Sequence, residues 1–155
     1  MNDIMKSLRL EHKGLGQILE LLQNKLRMLK EGTPPNFNLI DDAIHYVENH
    51  ASAYHHPKED VIYQYIIDQG MDANGEFSKI IQEHHTLAQN TQKLKEALDA
   101  ILLDIVVPNN NLIDLLDRFI EAETNHLNNE EAVLFPLIEG IPQLPFRYFL
   151  PHQYR

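Results

Sequence analysis

HLNNEEAVLFP, residues 126–136, places His126 and Glu130 four residues apart in a run whose apolar members follow helical spacing. Leu112, Leu116 and Phe119 precede them on one face at three-or-four spacing, and Val133, Leu134 and Leu137 resume it beyond Glu130. The two polar side chains thus interrupt a stripe that should be buried. Four residues along a helix rise roughly 6 Å, so the imidazole and the carboxylate can reach one metal ion or two adjacent ones. A buried charge without a partner is costly, and a metal ion is the commonest partner that accepts a His and a Glu together.

The pattern occurs twice. YHHPKEDVIY carries His55 and Glu59 at the same spacing, where Ile40, Ala43, Val47, Ile62 and Ile66 mark a core face. The carboxylates Glu59 and Glu130 are 71 residues apart. Each half also holds an earlier Glu-His step, Glu11-His12 and Glu83-His84, 72 residues apart. His12 lies between Leu8 and Leu15, and His84 between Ile80 and Leu87, both on apolar stripes. The chain reads as a duplicated helical hairpin, each copy giving one lone His and then a His-x-x-x-Glu pair.

A length of 155 residues fits one domain with a sizeable core. The 13 basic and 23 acidic side chains leave a net charge of −10, which argues against a phosphate-binding surface and so against nucleic acid. There are no cysteines, which removes disulfides, thiolate metal sites and iron–sulfur clusters, so any metal must take nitrogen and oxygen ligands. MNDIMKSLRLEHKG lacks the apolar core of a secretory signal, and no run approaches the ~18 to 20 apolar residues of a membrane span. The expectation is a soluble cytoplasmic protein with no membrane partner.

In chain order, Asn2 or Asp3 caps a first helix whose stripe is Ile4, Leu8, His12, Leu15, Leu19, Leu22, Leu26 and Leu29. Gly14 and Gly16 interrupt its propensity, either to let a helix or ligand channel approach or as tolerated surface glycines. Gly32-Thr33-Pro34-Pro35 ends it. Asn38 is expected to cap a second helix that runs to about Gln69 and contains Pro57, whose missing N–H should kink it and help aim the ligands. A third helix carries Phe77, Ile80, His84, Leu87, Thr91, Leu94, Leu98 and Ile101 and is expected to end near Pro108; any of Asn109, Asn110 and Asn111 can cap a fourth, from 112 to about 139. No strand-like alternation longer than a few residues occurs. The fold class expected is all-α, an antiparallel up-down-up-down four-helix bundle over residues 1–139. Residues 140–155, with three prolines and four aromatics after Gly140, should pack on the bundle or on a partner such as a second copy.

Bland alternatives stand beside the ligand reading. His12 and His84 also suit core histidines bonded to backbone carbonyls, and the two His/Glu pairs suit surface ion pairs, though the latter would turn both stripes to solvent. His56 and His85 lie about 100° around the helix from the preferred faces, as surface groups or outer partners of the ligands; His45, His50 and His152 do not fit the site. Glu123 shares the face of His126 as a seventh ligand or an outer acceptor. Glu131 can replace Glu130 by a small helix rotation, although the duplication favours Glu130.

Four His and two Glu suit two divalent ions of the iron, manganese or zinc type, bridged by the carboxylates. Six ligands leave open positions, for which a solvent oxygen bridge and dioxygen are natural occupants. The ordered set of Glu11-His12, HHPKED from His55 to Asp60, Glu83-His84 and HLNNEEAVLFP resembles the hemerythrin-like, or HHE cation-binding, family over residues 8 to 139. The resemblance implies a four-helix bundle holding a non-haem di-iron centre, oxo- or hydroxo-bridged, at His12, His55, Glu59, His84, His126 and Glu130. Two features depart from the oxygen-carrying members. Their third helix supplies two His four apart, whereas His84 has Ile80 and Ala88 at that spacing; their fourth helix places His and carboxylate five apart, not four. The departures suit the broader group of oxygen, redox or iron sensors, iron-handling proteins and repair factors. A repair factor of this type usually has an N-terminal segment with cysteines, and a sensor without an output domain needs a partner protein.

The reading is a di-iron protein that binds or senses dioxygen or a related small ligand, or handles iron and redox stress. Peroxide or nitric-oxide turnover stays open, with no catalytic residue named, and manganese or zinc remain alternatives to iron. The rival is a metal-free or zinc-stabilised helical interaction module that uses the aromatic C-terminal segment.

Overall fold

The computed structural model describes residues 3–142, 144 and 145. Helix α1 is Asp3–Lys30. Helix α2 covers residues 37–68, as Phe37–Tyr46, a wider-turned Val47–His55 and His56–Asp68. Helix α3 is Glu76–Leu102, and α4 covers residues 109–139, as Asn109–Asn129, a wider-turned Glu130–Leu134 and Phe135–Glu139. Helices α1 and α3 each pack against both α2 and α4, closing the four-helix bundle, and no strand occurs among the described residues.

Three helix ends use one device. Backbone N–H groups of Thr33, Met71 and Ile105 reach back five residues to Met28, Ile66 and Ala100, and those of Gly32, Gly70 and Asp104 reach back three. The residue at each turn is left-handed: Gly32 at φ 77°, Gly70 at φ 70° and Asp104 at φ 58°. This cap stops α3 at Leu102, short of the expected end near Pro108. At the start of α2 the cap is Asn36, not Asn38. Asn36 has extended backbone and its side chain accepts the Leu39 N–H at 3.2 Å, which leaves Asn38 inside the first turn. Asp72 caps α3 from a distance, accepting the N–H groups of Phe77 and Ser78. Helix α4 begins at Asn109 after an extended Pro108, so the three asparagines form its first turn and make no side-chain cap there.

Burial along α2 explains its middle. Val47, Ala51, His55 and Glu59 are all buried, a spacing of four held over three steps. In an α-helix each residue turns about 100°, so three such steps drift about 120° off the face. The wider turn of Val47–His55, with i→i+5 bonds such as His56 N–H to Ala51 C=O, takes up that drift. Proline supplies a cause, since both wide stretches end two residues before one, at Pro57 and Pro136. A proline ring clashes with the carbonyl four residues back, and a longer turn relieves the clash. In α4 the same shift overturns the expected continuation of the stripe. Leu134, Phe135 and Ile138 are buried, while Val133 and Leu137 are 39% and 48% exposed.

The core is divided. One cluster gathers Leu15, Leu22, Leu26, Ile44, Leu94, Leu98, Leu116 and Phe119, among others; the second gathers Met5, Leu8, Ile62, Tyr63, Ile66, Phe77, Ile80, Leu134, Phe135 and Ile138. A buried polar layer lies between them in sequence along all four helices. The α1 glycines are not closely approached: a Cβ on Gly14 would sit 3.5 Å from Tyr46 Oη, and on Gly16 it would meet nothing within 4 Å. Beyond Gly140, Leu144 is buried against the second cluster with Ile141 beside it. Residues 143 and 146–155, His152 included, lie outside the described residues.

Asp104 holds a left-handed conformation that Gly adopts without penalty, and it places an acid at a helix C-terminus. Asp104→Gly is expected to raise stability by about 0.5 to 1 kcal/mol in urea unfolding; a destabilised variant would contradict this account of the cap.

Candidate metal centre

Each helix delivers its share of the layer at one level. His12 comes from α1; His55, His56 and Glu59 from α2; His84 from α3; Glu123, His126 and Glu130 from α4. None is more than 5% exposed. The structure therefore brings all six expected residues together. Glu59 Oε1 faces His55 Nε2 at 2.9 Å and His12 Nε2 at 3.3 Å, while its Oε2 faces His84 Nε2 at 3.5 Å. Glu130 Oε2 faces His12 Nε2 at 3.2 Å and His126 Nε2 at 3.3 Å, while its Oε1 lies 3.5 Å from His84 Nε2. Each carboxylate spans the histidines on two sides.

The atoms that converge do not satisfy one another. His12, His55, His84 and His126 each leave Nε2 without a hydrogen bond, as do both oxygens of Glu59 and Oε2 of Glu130. Buried polar groups are nearly always hydrogen-bonded, and this many inward atoms without a hydrogen bond in one layer could hold a metal ion. Two overlapping groups place one ligand atom from each member within 4.8 Å of the others: His12, His55, Glu59 and Glu130, and His56, Glu59, His84 and His126. Glu59 belongs to both.

An outer ring of carboxylates orients the imidazoles. Glu131 meets His12 Nδ1 at 2.9 Å, Asp60 meets His84 Nδ1 at 2.6 Å, and Glu11 binds His55 Nδ1. Glu83 lies 3.4 Å from His126 Nδ1. The arrangement respects the duplication: Glu11 and Glu83 serve the later histidine of their own hairpin, whereas Asp60 and Glu131 serve the first histidine of the other. Lys58 backs Glu11, and Arg9 backs Glu131. A carboxylate on the far nitrogen fixes the ring so that Nε2 aims inward, the usual support of a metal-bound His. Tyr63 adds a hydroxyl that donates to Glu130 Oε1 at 2.7 Å.

Several of these groups were not foreseen from the sequence. His56 is no surface residue: it is 2% exposed and stacks on His84 with ring centres 4.2 Å apart. It lies inward beside His55, as adjacent Ile62 and Tyr63 do one turn and more further on. Tyr63 lies four residues after Glu59 and was readable only as core. The outer acids had a signal, since Glu11, Asp60, Glu83 and Glu131 each adjoin an inward ligand candidate. Glu131 pairs with His12 and does not stand in for Glu130. Glu123 is 3% exposed with Oε1 unpartnered, yet falls outside both groups. His85 and His50 are exposed, and His45 is part-exposed.

Among the side chains alone, the charges are strongly opposed. Burial disfavours a charged His12, but Glu130 and Glu59 outweigh it and hold the ring up to about 10. His84 is raised to about 9, Asp60 and Glu130 overcoming burial. Burial would raise Glu130, yet His12 and His84 hold it well below the usual carboxylate range. Burial, with His84 and His126 alongside, pushes His56 down to about 2. The layer offers nitrogen and oxygen donors only, which suits iron, manganese or zinc.

A model of the hemerythrin HHE cation binding domain matches residues 3–138. No curated protein and no solved structure gives a significant match.

Burial raises Glu123 from 4.5 to about 7, against the opposing pull of His126 and His84. A raised folded-state value means stability that is fully present below pH 4.5 and lost as pH climbs through about 7. Glu123→Gln, uncharged throughout, removes that loss. In chelator-stripped protein the difference in unfolding free energy between variant and parent should move in the variant's favour from pH 4.5 to 7, by up to about 3 kcal/mol, and level off above. A difference independent of pH would contradict the assignment.

Proposed function

The chain belongs to the hemerythrin HHE cation-binding family, and from that premise we propose that its polar layer holds two iron ions, at which dioxygen or a related small ligand binds or is sensed through a redox change. The observation that carries this reading is the set of inward, unpaired nitrogen and carboxylate atoms sealed between two apolar clusters. His12, His55, His84 and His126 would hold the ions together with Glu59 and Glu130, each of which already faces histidines on two sides. When bound, the ions supply Lewis acidity and one-electron chemistry.

The chain's own groups do the rest. The outer carboxylates fix the tautomer of each ring. Tyr63 keeps its proton, because burial and the nearby Glu59 and Glu130 push its hydroxyl well above 10, and it holds that proton on Glu130 Oε1. The apolar clusters above and below exclude bulk water, so a ligand must enter from the side. A cavity of about 90 Å³, lined by Glu11, Leu15, Tyr46, His50, Tyr54 and His55, reaches the layer at His55. A volume of this size admits a diatomic molecule, or a few waters at about 30 Å³ each, and excludes a large substrate. No helix among the described residues is long and apolar enough to cross a membrane.

The metal-free interaction module fares worse on energetic grounds. Without an ion the layer would bury ten unpaired nitrogen and oxygen atoms of His12, His55, His56, His84, His126, Glu59 and Glu130, at a cost no apolar cluster of this size requires.

Protein grown with iron should contain about two iron atoms per chain and absorb in the near-ultraviolet and visible through ligand-to-iron charge transfer. His126→Ala should halve or abolish the iron, measured by elemental analysis on folded protein. Full occupancy in that variant, or iron near zero in folded parent protein, would overturn the reading.

A further inference from the structure

Glu11, Asp60, Glu83 and Glu131 face the outer nitrogens of the inward histidines, but only two of these acids carry a cation. The Lys58 ammonium lies on Glu11 and the Arg9 guanidinium on Glu131, while neither Asp60 nor Glu83 pairs with a Lys or Arg among the described residues. Glu11 serves His55 and Glu131 serves His12, so both cations back the same two rings. The duplication does not repeat them. The 71-residue interval carries Lys58 onto Asn129, and the 72-residue interval carries Arg9 onto Ile81.

Lys58 is the better placed of the two. Its side chain is 16% exposed, and its ammonium lies 4.8 Å from the centre of the Tyr54 ring, held between that ring and Glu11. Position alone does not require it, since the Ser7 hydroxyl also donates to Glu11 Oε1 at 2.9 Å and His55 holds the other oxygen. Arg9 is shared. Besides Glu131 it meets both oxygens of Glu139 at 3.2 Å, and it lies 5.3 Å over the Phe135 ring that stacks on His12. Glu139 therefore takes back part of its charge.

A carboxylate on the far nitrogen makes an imidazole a stronger donor to a metal ion. A cation on that carboxylate draws the charge away, and the ring donates less. A unit charge on the order of 10 Å from an ion, at an effective dielectric constant of about 20, changes an equilibrium between two charge states of that ion by about tenfold. Resting on the two-ion reading above, we propose that Lys58, and to a smaller degree Arg9, are positioning residues that set the charge felt at the site: through Glu11 and Glu131 they weaken donation from His55 and His12 and hold the iron pair toward its divalent state. The centre then gives up electrons less readily than four bare acids would make it, and its redox change answers to a stronger oxidant.

Iron-loaded protein titrated against an electrode with dissolved mediators reads this directly, each ion exchanging one electron with the electrode. Lys58→Met should keep its iron and shift the ferric-to-ferrous ratio about tenfold toward ferric, a fall in midpoint of about 59 mV for one electron. Arg9→Met should fall by less, and Lys58→Arg, which retains the charge, should match the parent. A Lys58 that only held Glu11 still would give another pattern, with iron lost from Lys58→Met and no fall in midpoint. That pattern, or a midpoint unchanged or raised, would overturn the role of Lys58 while leaving the two-ion reading intact. A folded parent without iron would overturn the reading and the inference together. Should Lys58→Met fail to fold, Lys58→Gln takes its place. In chelator-stripped protein the same variant should prefer gallium(III) over cobalt(II) about tenfold more than the parent does, and an equal preference would overturn the proposal.

Discussion

The structure depends on a layer of buried acids and imidazoles that face one another closely yet leave their inward atoms without hydrogen bonds. Apolar clusters close it on both sides, so water does not repay the lost solvation, and the converging nitrogens and carboxylate oxygens sit near 3 Å apart without hydrogen-bond geometry. Such a layer is arranged to receive something positive that accepts lone pairs from every side. This constraint explains the outer carboxylates as well. Each imidazole must be held with one nitrogen inward, and an acid on the opposite nitrogen achieves this while spreading the charge toward solvent, where Lys58 and Arg9 meet it.

Helix geometry is bent to serve that layer. A strict α-helix cannot keep residues 47, 51, 55 and 59 on one face. The wide-turned stretch before Pro57 does, and π-type turns of this kind are frequent at functional sites. The prolines thus work differently from a simple kink: each stabilises a local change of register that lets a helix present more polar groups to the centre than its apolar stripe would allow. The reciprocal outer contacts, Asp60 to His84 and Glu131 to His12, tie the two hairpins to each other through the site.

Much of this was legible in the residues. The four helices and the stripe of α1 follow directly from apolar spacing, and the six inward candidates follow from polar residues that interrupt such stripes twice at matching intervals. What escaped was whatever depended on register. The α-helical angle put His56 outside and Val133 and Leu137 inside, and the structure reverses all three. The caps at Asn36 and Asp104 were missed because several polar residues near each end compete, and backbone conformation alone selects among them. The outer acids were adjacent in sequence to the inward groups, but only the packed bundle shows that two of them serve the opposite hairpin.

The central claim is that the histidines and acids close around two ions. Diffraction from crystals of iron-grown protein, recorded on both sides of the iron absorption edge, tests it without relying on activity. The account predicts two anomalous peaks per chain between Glu59 and Glu130, within reach of the inward histidine nitrogens. An empty layer in a folded bundle, with those nitrogens bonded to the acids or to water, would contradict it.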